Sequence, residues 1–190
     1  MNHYRSLSNQ IYSRGEYALV PIRFEDRYDI MRWRNEQIYH LRQNKPLTKK
    51  DQDLYFDQTV SNLFEQEKPS QLLFSFLKND KCIGYGGLVH VNWVDKHAEI
   101  SFIMDTKLEN ESFEKYWNQY LDLIEKVAFT DLLLHKIFTY AFDLRSNVFS
   151  VLEKNKYLKE AVLKDHKFFN GGYVDVLIHS KMNSPIKISQ

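Results

Sequence analysis

The stretch QLLFSFLKNDKCIGYGGLVHVNWVDKHAEISFIM, Gln71 to Met104, holds three apolar runs parted by two polar breaks. Gln71 to Lys78 and Lys81 to Val91 are rich in Leu, Phe, Val and Ile, residues that suit a pleated, buried surface. The Asn79-Asp80 pair between them is a hairpin-turn signal. A third run, His97 to Met104, follows the polar turn Asn92 to Lys96. The three predict an antiparallel meander.

Beyond the meander, Ser112 to Phe129 places Phe113, Trp117, Tyr120, Leu121, Ile124 and Ala128 on one face of a helix, which is expected to pack on the sheet. Lys136 to Phe142 reads as a strand and Asn147 to Lys154 as a short helix. Tyr157 to Phe168 and Tyr173 to Lys181 read as a last hairpin closed around Asn170-Gly171-Gly172. From Asn183 onward a loose tail is expected. Towards the N-terminus, Tyr17 to Arg23 is a short strand stopping near Pro21. Phe24 to Arg34 then carries Phe24, Tyr28, Met31 and Ile30 at helical spacing. Thr48, with Asp51 three residues on, predicts a capping box. The helix it opens runs through Leu54, Tyr55, Gln58 and Leu63 to about Gln66. Strands that meander, followed by a strand, helix, strand unit from Ile100, define an α+β fold with a mixed, mostly antiparallel central sheet flanked by helices. At 190 residues the chain reads as a single domain with its core between about residues 17 and 181.

Composition narrows the function. Lys and Arg number 26 against 25 for Asp and Glu, so no strong field draws the chain to nucleic acid or to an anionic membrane. The single cysteine, Cys82, has no partner for a disulfide or a thiolate metal site, which predicts a reducing, cytoplasmic setting. Met1 to Arg14 is polar, without the apolar run of a secretory signal, and no stretch approaches the roughly 20 apolar residues of a membrane span. Seven histidines stand singly, so no metal is expected. Phosphate-binding glycine loops, dinucleotide fingerprints and nucleophile elbows are missing from the sequence, which removes the usual support for hydrolysis or redox chemistry.

Several short segments form a constellation. Val20 to Asp26 leads into Ile30 to Glu36 with its Trp33-Arg34-Asn35 triplet. Cys82 to Leu88 and Ala98 to Met104 follow, then Leu152-Glu153-Lys154-Asn155-Lys156-Tyr157 and Tyr173-Val174-Asp175. Together they resemble the GNAT acetyltransferase superfamily, in the branch of the ribosomal-protein N-terminal acetyltransferases and amino-sugar N-acetyltransferases. The resemblance implies the GNAT fold and direct transfer of an acetyl group from acetyl-CoA to a primary amine. It implies a small-molecule acceptor, such as a nucleotide-linked amino sugar or another small anionic amine, and a monomer or homodimer. A protein N-terminus as acceptor, and a catalytically silent GNAT-like binding domain, remain as alternatives.

The resemblance also implies roles. In the family the strand matching Ala98 to Met104 carries a bulge and splays from its neighbour, exposing backbone N–H groups. Phe102, Ile103 and Met104 are the matching cofactor positions, Asn110, Ser112 and Phe113 fall at the pyrophosphate loop, and Arg145, or Asn147 if the loop is shorter, stands where the family has a cofactor-contacting Asn. Glu99 is the expected general base. Tyr140 is the expected proton donor, because Leu152 stands where many relatives carry a tyrosine. Trp33, Arg34, Asn35, His40 and Arg42 are expected to wall the acceptor cleft with Tyr85 and His90, the two arginines being suited to an anion. One departure is plain: Asp105 to Phe113 holds no glycine where the family's phosphate loop has several, and it adds Glu109 and Glu111. Asn155 likewise replaces a family glycine.

Overall fold

A computed structural model describes residues 2–183, so most of the expected loose tail lies outside the described residues. Its eight strands are β1 (Tyr12–Arg14), β2 (Tyr17–Pro21), β3 (Leu72–Lys78), β4 (Lys81–Asn92), β5 (His97–Met104), β6 (Lys136–Phe142), β7 (Leu158–Phe169) and β8 (Gly172–Met182). The helices are α1 (Arg27–Glu36), α2 (Lys49–Tyr55), α3 (Ser61–Glu65), α4 (Thr106–Glu125) and α5 (Ser146–Lys154). One sheet takes the order β1-β2-β3-β4-β5-β6-β8-β7. Only β5 and β6 run parallel; every other neighbouring pair is antiparallel. The meander and the α+β class are as the sequence predicts. Among the described residues no helix is long and apolar enough to cross a membrane.

The parallel pair divides the sheet. β5 meets β6 only at His97–Lys136, Ala98–Ile137 and Glu99–Phe138. Beyond that point β5 keeps to β4, through Met104, while β6 follows β8 along its whole length. The sheet's twist carries the two halves apart, and Ile100 to Met104 pair on one side only. The resemblance places a bulge on this strand, but the extra residue lies on β4 instead. Val89 faces Glu99 and Asn92 faces His97, so His90 and Val91 together oppose Ala98.

Across the meander lies α4, with Trp117, Tyr120, Leu121 and Ile124 buried as its periodicity predicts. Tyr120 stacks on Phe102 with ring centroids 3.8 Å apart, and its hydroxyl donates to the Ser101 carbonyl at 2.7 Å. The helix starts six residues earlier than the expected Ser112, because the Asp105 side chain caps the amides of Lys107 and Leu108. Ser112 nevertheless breaks it, at φ −152° and ψ 49°. The predicted capping box at Thr48 and Asp51 is present.

The polar N-terminus holds more structure than its sequence suggests. Tyr4 is 1% exposed, and its hydroxyl exchanges hydrogen bonds with the N–H and C=O of Leu73. The Asp131 carboxylate accepts from the amides of Ser8 and Asn9 and from the Tyr12 hydroxyl, anchoring β1.

Gly86 is required where β4 passes beneath α4. A Cβ there would stand 2.1 Å from the Ser101 carbonyl oxygen and 2.5 Å from the Tyr120 hydroxyl oxygen. Gly86→Ala is therefore expected to destabilise the protein by about 1–3 kcal/mol through overpacking. Urea unfolding is expected to show a lower midpoint at unchanged slope.

Candidate active site

The parting of β5 from β6 opens a cleft of about 460 Å³. Its floor is Ile100 to Phe102 on one side and Thr139 to Phe142 on the other, with Leu41, Arg42 and Arg145 at its walls. Glu99 sits at the apex, the last β5 residue paired with β6, and is 5% exposed. Both of its oxygens are engaged. The Arg42 guanidinium lies against Oε1, and His90 Nδ1 stands 2.9 Å from Oε2. The bulge explains the second contact: His90 adopts φ +50° at the extra residue, which aims its ring at Glu99. Most of the His90 side chain faces solvent, so the dyad connects a buried carboxylate to bulk water. Arg42 also lies 4.8 Å above the Tyr140 ring. Glu99, His90, Arg42 and Tyr140 thus form one cluster.

A second group closes the other end. Arg145 Nη1 donates to His40 Nε2 at 3.0 Å, while its Nη2 meets the Glu109 carboxylate. Its guanidinium lies 5.4 Å from the Phe113 ring. Burial lowers the Arg145 pKa to about 10, which leaves it a cation at neutral pH. Burial foremost, and the Arg145 charge next, push His40 down to about 3, so its ring is neutral and free to accept. The segment after α1 is held to the sheet by Gln37, whose Nε2 donates to the Met104 carbonyl at 2.8 Å.

Of the residues singled out in the sequence, Glu99, Tyr140, Phe102, Arg145, Arg34, His40, Arg42 and His90 border this cleft. Ile103 and Met104 are buried and do not line it. Trp33 is 1% exposed and donates to Asp105 Oδ2 at 3.2 Å, outside the cleft. Asn35 ties the chain, exchanging hydrogen bonds with the N–H and C=O of Leu47. Tyr85 faces a separate cavity, where its hydroxyl meets Arg34. Asn110 is exposed, and Asn147 turns its side chain onto the Val148 amide of its own helix. Ser112 marks the break in α4, and Phe113 packs on Trp117. Sequence reading did not find Gln71, Leu41, Thr139 or Val148 at the cleft. No motif marks them; only topology brings β6 and α5 to β5.

The acetyltransferase (GNAT) domain model matches residues 19–178. No curated relative matches the sequence. Among solved structures, the spermidine N-acetyltransferase of Vibrio cholerae in complex with CoA and spermine superposes with a TM-score of 0.76 at 19% identity, covering 90% of this chain and 98% of that one. A dodecameric form of the same organism's enzyme gives 0.71 at 20% identity, over 90% and 96% of the two chains. A probable acetyltransferase gives 0.72 at 16%, over 91% and 97%. At such identities the likeness is one of fold. Two expectations are corrected here. The structures of named activity that superpose are spermidine N-acetyltransferases, not the ribosomal-protein or amino-sugar branch that the opening motifs suggested. The expected monomer or homodimer gives way too, since a matched enzyme is a dodecamer.

His40 yields a pH prediction. The unfolded residue takes its proton near 6.5 and the folded one near 3, so between these values the unfolded state binds more protons. The sign is fixed by that difference: the contribution to stability declines as pH falls from about 6.5 toward 3. In histidine NMR the His40 ring is expected not to titrate between about pH 5 and 8. His40→Gln is expected to unfold with less acid sensitivity than wild type; equal sensitivity would remove His40 as the cause.

Proposed function

The chain belongs to the acetyltransferase (GNAT) family and is an acetyl-CoA-dependent N-acetyltransferase acting on a primary amine; we propose that this amine is a polyamine or a similar small amine whose reacting nitrogen is received beside Glu99. The observation that carries this reading is the buried Glu99 carboxylate at the apex of the parted strands, linked to solvent through His90. A site for a cationic amine needs a fixed anion, and Glu99 is the carboxylate that borders the cleft. Two of the structures that superpose are spermidine N-acetyltransferases.

Acetyl-CoA supplies an activated thioester when bound. The fold is suited to hold it: the free edge of Ile100 to Met104 offers unpaired backbone N–H groups to an extended chain and to a polarised carbonyl. At Ser112 the helical ladder restarts, and the amides that follow lack the carbonyls of a regular preceding turn. Those amides, with Arg145 beside Phe113, are the groups on this chain suited to phosphate oxygens. They replace the missing glycine loop. In this proposal Glu99 accepts a proton from the incoming ammonium, His90 passes it to solvent, and Tyr140 is the hydroxyl within the same cluster that can donate to the departing side. Arg42, now on Glu99, yields its place to the acceptor's charge. We read the chain as one domain acting in the cytoplasm, where a lone buried Cys82 stays reduced.

Glu99→Gln is expected to lower turnover of acetyl-CoA with spermidine by about 100-fold or more, with its thermal midpoint kept. Thiol release measures it, and unchanged turnover would refute the assignment. Glu109 occupies the cation that the phosphates need, so Glu109→Gln is expected to tighten acetyl-CoA binding several-fold by titration calorimetry. Weaker binding would show that Glu109 supports the site. No binding to the folded wild type would instead leave a silent domain.

A further inference from the structure

Arg34 stands between two cavities. Besides the catalytic cleft it borders a second space of about 210 Å³, enclosed by α1, α2 and β4. Its side chain is largely withdrawn from water, yet its partners are neutral: Nε donates to Gln43 Oε1 at 3.0 Å, and Nη1 donates to the Tyr85 hydroxyl. No carboxylate among the described residues pairs with it. Arg42 and Arg145, by contrast, each lie on a glutamate. Hydrogen bonds to Gln43 and Tyr85 satisfy part of this half-buried guanidinium, but no anion of the chain neutralises its charge.

The second cavity supplies the setting for the missing anion. Tyr85 accepts from Arg34, which leaves its own O–H to donate. Tyr55, which borders the same cavity and is partly open to solvent, accepts from Gln71 Nε2 and so also has its O–H free to donate. The guanidinium Nη2 carries two further hydrogens without a protein acceptor. Arg34, Tyr55 and Tyr85 thus border one cavity together with the apolar side chains of Ile22, Ile30 and Phe56. Asp51 is the acid that borders the cavity, and its Oδ2 is taken by the Thr48 amide and hydroxyl of the capping box.

We propose that this second cavity is a binding site for a small carboxylate with an apolar tail, its anion held by Arg34 and the hydroxyls of Tyr55 and Tyr85, its tail against Ile22, Ile30 and Phe56. A carboxylate matches the planar fork of the guanidinium, and the hydroxyls take its remaining lone pairs. The carboxylate can belong to a separate ligand or to the far end of an acceptor amine, because Arg34 faces both spaces.

Titration calorimetry of the full chain with hexanoate, hexanamide and hexylamine tests the site without relying on transferase activity. Hexanoate is expected to bind saturably at millimolar concentration or below, and the amide and the amine at least about tenfold more weakly. Arg34→Met is expected to lose about tenfold or more in hexanoate affinity, and Tyr55→Phe several-fold. Hexanamide binding as well as hexanoate, an Arg34→Met protein with wild-type affinity, or no hexanoate binding to the folded wild type would each overturn the proposal. Should Arg34→Met not fold, Tyr55→Phe and the amide comparison decide. Turnover then identifies the source. Preferential acetylation of ε-aminohexanoate over hexylamine, lost in Arg34→Met, marks the anion as the acceptor's own, whereas hexanoate binding without competing with the amine marks a separate ligand.

Discussion

Everything at the site follows from where β5 and β6 stop pairing. β6 is bound along its full length to β8, and β5 to β4, so the three residue pairs that join them are all that the twist allows. The break leaves a strand edge with free backbone donors inside the molecule, which would be a liability at the surface but is here the floor of a cleft. α4 keeps that edge from collapsing. Its Tyr120 stacks on Phe102 and holds the Ser101 carbonyl, and Gly86 lets β4 lie close enough for that contact.

Charge is arranged around the same break. Glu99 is fixed at the apex, and the β4 bulge exists to the benefit of that carboxylate, since the left-handed backbone of His90 brings an imidazole to it from a position that a regular strand would turn elsewhere. Arg42 covers its other oxygen. At the far end Arg145 holds Glu109 and a neutral His40. Two of the three cleft arginines are thus balanced by glutamates of the chain itself, each at a place where a charged reactant is expected to compete. Arg34 is the third, and its imbalance is what distinguishes the second cavity from an ordinary packing defect.

The departure at residues 105–113 illustrates how one physical task passes between devices. Glycine allows backbone to approach phosphate closely. In its absence, Ser112 interrupts α4 and presents a second helix start within the same stretch, while Asp105 satisfies the amides of the first. A glycine-free loop therefore does not by itself remove the backbone donors that an anion needs.

From β2 onward the order of strands and helices, the apolar face of α4, the capping box at Thr48 and the last hairpin were legible in the sequence, because each depends on periodicity or on turn chemistry within a few residues. Glu99 and Arg42, both singled out in the sequence, do come to one cleft. What only the tertiary structure decided is pairing across distance. It set Arg42 on Glu99, 57 residues away, and Arg145 on Glu109, 36 residues away. It placed Thr139 and Val148 at the cleft, and sent Trp33 and Asn35 into structural roles. Tyr4 shows the limit most simply: one aromatic in a polar segment carries no period, yet it is buried because its hydroxyl meets both backbone groups of Leu73. Local pattern determines elements, but a side chain's role is set by which element the sheet order brings beside it, and that order is a property of the whole chain.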